Sequence, residues 1–86
     1  MRYTVFLARP ARKFLSRLTD ARQSARFERA IDNLAKNPRP AGCQALQGVS
    51  GAYRVRIGDL RILYQIEDDR LIVLVTDIGA RGQIYR

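Results

Sequence analysis

The run Tyr53-Arg54-Val55-Arg56-Ile57-Gly58-Asp59-Leu60-Arg61-Ile62-Leu63-Tyr64 places three arginines where two strands fold back on each other. Gly58-Asp59 between two alternating stretches predicts a two-residue turn, because glycine adopts the positive φ that a type I′ or II′ turn requires at its first position. Such a turn fixes the register, with Ile57 opposite Leu60, Arg56 opposite Arg61 and Arg54 opposite Leu63. Tyr53, Val55, Ile57, Leu60, Ile62 and Tyr64 then share the other face. One face of the hairpin is core and the other is cationic. Like charges directly opposite each other on paired strands repel, so the Arg56/Arg61 pair implies an anion above it. Guanidinium groups clamp phosphate through two parallel hydrogen bonds and are poor proton acceptors.

The elements that must hold this hairpin follow from periodicity. Arg2 to Ala8 alternates around Tyr3, Val5 and Leu7 and predicts a strand. Pro10 suits the first turn of a helix, after which Ala11, Phe14, Leu15 and Leu18 form one apolar stripe. Thr19 or Asp20 caps a second helix carrying Phe27, Ala30, Ile31, Leu34 and Ala35, which Asn37-Pro38 ends. Arg39 to Gly51, with its proline and glycines, is expected to be a loop. The hairpin, an acidic turn at Glu67-Asp68-Asp69-Arg70 and a strand from Leu71 to Ile78 complete the order. The expectation is one α+β domain over residues 1–86, β-α-α-β-β-β, with both helices packed on one face of an antiparallel sheet.

Composition narrows the function classes. At 86 residues the chain has room for one modest core, and 47% hydrophobic residues in periodic order argue against disorder. No apolar run approaches the ~20 residues of a membrane span. Met1 to Leu7 is too short and wrongly flanked for a signal peptide, so the expected location is the cytoplasm. Cys43 stands alone, without metal-ligand neighbours, and is expected to be incidental. Glu67, Asp68 and Asp69 in a tight turn point in different directions and predict solvation rather than a metal site. The net charge is +8, and 14 of the 16 bases are arginine, which fits a nucleic-acid partner better than general solubility. Residues 1–36 carry nine bases against three acids, so most of this charge lies on the helices, either as a solvated face or as a long-range attractor for a polyanion.

The order of elements, the Tyr53–Tyr64 hairpin, the Leu71-Ile72-Val73-Leu74-Val75 strand and the ending Gly79-Ala80-Arg81-Gly82-Gln83-Ile84-Tyr85-Arg86 resemble the RelE/ParE superfamily of type II toxins. The resemblance covers nearly the whole chain. It implies a toxin whose RelE-type relatives are metal-independent, ribosome-dependent endoribonucleases that cleave mRNA in the A site. It implies a cognate antitoxin as partner, held in a hetero-oligomer, and no cofactor. ParE-type relatives share the fold and inhibit DNA gyrase instead. Matched position by position, the RelE pattern puts RNA-binding residues at Arg54 and Arg56 and catalytic residues at Arg61, Arg81 and Tyr85. Arginine replaces the lysine pair common in the family, and Gly79-Ala80-Arg81 replaces the common Gly-His-Arg.

Cleavage of RNA by its own 2′-hydroxyl needs a proton acceptor, charge stabilisation at the phosphoryl oxygens and a donor for the leaving oxygen. Histidine is absent from the chain. Arg54, Arg56, Arg61 and Arg81 can clamp phosphate, which leaves Tyr85 as the plausible base, activated by neighbouring guanidinium charge. Other roles stay open for these residues: packing at the sheet edge for Tyr85, an ion pair with Asp77 or the terminal carboxylate for Arg81, and antitoxin contact alone for the hairpin. Three readings follow: a ribosome-dependent endoribonuclease, a gyrase inhibitor, and an inactive antitoxin-binding protein. Either active toxin would be silenced by an antitoxin rich in Asp, Glu and Leu, laid over the cationic face beside Leu63 and Leu74.

Overall fold

Asp20 accepts hydrogen bonds from the backbone N–H groups of Arg22 (2.9 Å) and Gln23 (3.4 Å), which starts the longer of two helices. The computed structural model describes residues 2–80. Strand β1 (Thr4–Leu7) leads into helix α1 (Arg9–Ser16), whose first turn accommodates Pro10, and α2 spans Ala21–Lys36. Leu18 lies in the turn beyond α1 yet still packs on the core. Strands β2 (Gln44–Ala45), β3 (Ala52–Ile57), β4 (Leu60–Glu67) and β5 (Ile72–Ala80) follow, with a single 3₁₀ turn at Asp68–Arg70.

The sheet order is β1-β5-β4-β3-β2. Three of its four strand pairs are antiparallel, whereas β1 joins β5 in parallel, Thr4 beside Ile72. The expected antiparallel sheet thus holds for three of the four pairs, and the parallel β1–β5 pair makes it mixed. A parallel pair needs a long crossover, which the two helices supply together with the rest of the sheet. The expected loop from Arg39 to Gly51 also contains β2, too short to show any alternation.

Both helices lie on one face, as the periodicity predicts. Ala11, Phe27 and Leu34 join Val55, Ile62, Tyr64, Ile66, Val73, Val75 and Ile78 in one core. Phe14 and Phe27 meet edge to face at 5.8 Å and lock α1 to α2. Tyr64 is fully buried, and its hydroxyl donates to the Pro38 carbonyl (2.8 Å), so the phenol satisfies a backbone acceptor where α2 ends. Among the described residues no helix covers the other face of the sheet. There Phe6 is 50% exposed, opposite Leu74 on β5.

Candidate functional site

The hairpin register is as expected: Ile57 pairs with Leu60, Arg56 with Arg61, Val55 with Ile62 and Arg54 with Leu63. Gly58 has φ +60°, the conformation that the turn requires. Val55, Ile62 and Tyr64 are buried beneath the helices, and the three arginines project from the open face.

With Gly42 and Gln44, Arg54, Arg56 and Arg61 line an open recess of about 140 Å³. Gln44 comes from β2 and accepts at Oε1 from Arg54 Nε (3.0 Å), with Arg54 Nη2 donating to the same oxygen. This fixes the plane of the Arg54 guanidinium. Arg56 Nε donates to the Gly58 carbonyl (3.1 Å) and so bends toward the turn. Gln44 is a site residue that sequence reasoning missed, because a two-residue strand carries no periodic signal. Only its alignment beside Arg54 reveals it.

A β-bulge shapes the neighbouring strand. Leu63 pairs with Asp77 but Tyr64 with Val75, so Thr76 is the extra residue, and its hydroxyl donates to the Leu63 carbonyl (3.1 Å). The bulge lets Val75 and Ile78 both face the core while Asp77 and Gly79 lie on the arginine side. Asp77 Oδ1 accepts from the Ile78 backbone N–H (2.8 Å). Strand β5 runs on past the expected end at Ile78 to Ala80, which pairs with Leu60 beside the hairpin turn. Arg81 and Tyr85, the other two expected site residues, lie outside the described residues.

The acidic turn is not a metal cluster: among the described residues no group of three His, Cys, Asp or Glu side chains is placed to hold an ion. Asp68 instead receives Arg39 through both carboxylate oxygens (3.1 and 2.8 Å) and the Tyr3 hydroxyl (2.6 Å). These bonds, that of Arg39 foremost, hold its carboxyl down to about 2. Cys43 packs against the core as a free thiol.

Three guanidinium forks around a small open recess can grip a phosphate, and the recess itself offers no described group suited to proton transfer. A sheet with an arginine-lined open face and two helices behind it is the architecture of the RelE/ParE superfamily of toxins. The chain belongs to the family of ParE toxins of type II toxin–antitoxin systems, whose sequence profile matches residues 5–85. It is 31% identical to toxin RelG of Mycobacterium tuberculosis over 100% of this chain and 99% of that protein. Its fold is similar to that in the archaeal RelE–RelB complex of Pyrococcus horikoshii, with TM-score 0.83 and 26% identity, covering 96% of this chain and 99% of that one. The RelBE2 toxin–antitoxin complex of M. tuberculosis is similar at TM-score 0.76 and 28% identity, covering 94% of this chain and 100% of that one.

Proposed function

We propose that the chain is a ribosome-dependent endoribonuclease that cleaves mRNA in the cytoplasm and is held inactive by a cognate antitoxin. The observation that carries this reading is the recess in which Arg54, Arg56 and Arg61 converge on the open face of the sheet. Arg54 and Arg56 bind the RNA backbone, and Arg61 stabilises charge that develops on the phosphoryl oxygens. Arg81 adds to that stabilisation, Tyr85 takes the 2′-hydroxyl proton as the 2′-oxygen bonds to phosphorus, and the 5′-oxygen whose bond to phosphorus breaks takes a proton from water. No metal or cofactor enters this scheme. Dependence on the ribosome fits a site poor in proton-transfer groups, since positioning of the substrate then supplies much of the rate. The half-exposed Phe6 and its neighbour Leu74, on the same open face as the arginines, suit an acidic amphipathic antitoxin segment.

The test is a brief pulse of expression followed by mapping of transcript 5′ ends, with single-turnover cleavage on programmed ribosomes. Tyr85→Phe is expected to lower that rate by about 10² to 10³ with little effect on binding, the usual scale for a general acid or base. Arg61→Ala is expected to lower it by a similar factor. The matching profile is that of ParE toxins, which makes DNA gyrase the alternative target. Full toxicity of both variants without cut transcripts, together with inhibition of supercoiling by purified gyrase, would establish that alternative.

A further inference from the structure

Gln44 stands directly across the strand pair from Arg54, on the short edge strand β2. Its Oε1 accepts from Arg54 Nε (3.0 Å) and from Arg54 Nη2. A guanidinium has two bidentate edges, one formed by Nε with a terminal nitrogen and the other by the two terminal nitrogens. Gln44 engages the first, which fixes the plane of the group and the direction of the second. An amide also leaves the charge of Arg54 intact, whereas a carboxylate in its place would cancel that charge.

The chain that delivers Gln44 is pinned on both sides of β2. Before it, the Pro38 carbonyl accepts from the Tyr64 hydroxyl (2.8 Å), Arg39 is held by Asp68 and Tyr53, and the Cys43 N–H donates to the Pro40 carbonyl (3.1 Å). Cys43 packs on the core immediately before Gln44. After β2, the Leu46 N–H donates to the Ala52 carbonyl (2.9 Å). The Gln44 side chain is itself exposed, so core packing does not order it. Ordering a long side chain costs conformational entropy, and the two bonds from Arg54 are what offset that cost here.

We propose that Gln44 is a positioning residue, which holds the Arg54 guanidinium in the orientation in which Arg54 binds an RNA phosphate without discharging it. The role deepens the reading of the recess as an RNA site and rests on it. Gln44 acts through Arg54, and the pinned loop before β2 keeps it in place.

The experiment uses the full chain with two probes, inorganic phosphate and fluorescein-labelled oligouridylate. The Arg54 Nε–H signal in nuclear magnetic resonance reports the Gln44 contact, and fluorescence anisotropy gives the affinity for oligouridylate. Gln44→Met keeps the length of the side chain and removes its oxygen. It is expected to speed exchange of the Arg54 Nε proton with water several times over and to weaken oligouridylate about three- to tenfold, the net scale of a hydrogen bond. Gln44→Glu keeps the acceptor, so the proton should stay protected, yet the slope of log affinity against log salt should flatten by about 0.7 because Arg54 is neutralised. In an Arg54→Ala background Gln44→Met is expected to cost nothing further. Unchanged proton exchange in Gln44→Met, oligouridylate binding as tight as wild type, or the same loss in both backgrounds would each overturn the role. The nuclease reading fails separately, if oligouridylate ignores the recess and no transcripts are cut while inorganic phosphate still shifts the Arg54 signal and binds Gln44→Met more weakly. Phosphate that leaves the Arg54 signal unmoved would overturn the Gln44 role as well.

Discussion

Asp68 joins three stretches of chain that lie far apart in sequence. It takes the Tyr3 hydroxyl from the residue before β1 and the Arg39 fork from the loop after α2, while Arg39 also donates to the Tyr53 hydroxyl (3.2 Å) and lies 5.3 Å above its ring. The carboxyl titrates at about 2 in the folded chain and near 3.9 when unfolded. A depressed folded value means that the stabilisation is fully present above the unfolded value and is lost as pH falls through the folded one. Asp68→Asn is therefore expected to melt below wild type at pH 7, with the two melting temperatures converging near pH 2; a gap that stays constant would refute the linkage. Gly58 supports a second residue-scale prediction. Its φ of +60° is one that L side chains rarely adopt, whereas the Arg26 guanidinium against it is the far end of a flexible side chain and can shift, so Gly58→Ala is expected to cost about 1–2 kcal/mol in a urea titration from the left-handed backbone alone. The turn was legible in the sequence because its chemistry is local. The Arg39–Asp68 clasp was not, since side chains 29 positions apart meet only once the sheet has formed, and the acidic turn read simply as solvated.

At the scale of elements, the hairpin and the bulge at Thr76 decide what the open face presents. The hairpin register could be derived in advance because a two-residue turn leaves the strands only one way to pair, and that register placed Arg54, Arg56 and Arg61 together. The parallel pairing of β1 with β5 could not, because alternation marks a strand without naming its neighbour. Gln44 escaped for the related reason that β2 exists only through its pairing with β3. The bulge was equally silent in a run of apolar residues that reads as one continuous strand. Its role can be tested by deleting Thr76. Without the extra residue Val75, Asp77 and Ile78, the last now 3% exposed, alternate in, out and in as a regular strand and keep their partners on β4. The deletion variant is therefore expected to keep its core and a cooperative thermal transition by circular dichroism, losing only the local bend and twist that the bulge imposes on the open face. Thr76→Ala, which removes only the hydroxyl, should keep the fold with a loss of about 1 kcal/mol.

For the whole molecule, the net charge of +8 is divided between the open face and the helical side. General attraction and a defined RNA path make different predictions about salt. Counterion release makes the logarithm of affinity for single-stranded RNA fall with log salt by about 0.7 per phosphate contact. Three contacts from Arg54, Arg56 and Arg61 give a slope near −2, and a fourth from Arg81 brings it to about −3. Arg61→Ala is expected to flatten the slope by about 0.7, whereas Arg26→Ala with Arg29→Ala, on the helical side of the sheet, should leave it close to wild type. If the helical arginines merely raised the potential of the whole surface, the double variant would flatten the slope at least as much as the single one, since it removes twice the charge. The comparison thus reads out where the polyanion lies as well as how strongly it binds. A path over the recess requires the single substitution on the open face to outweigh the pair behind it.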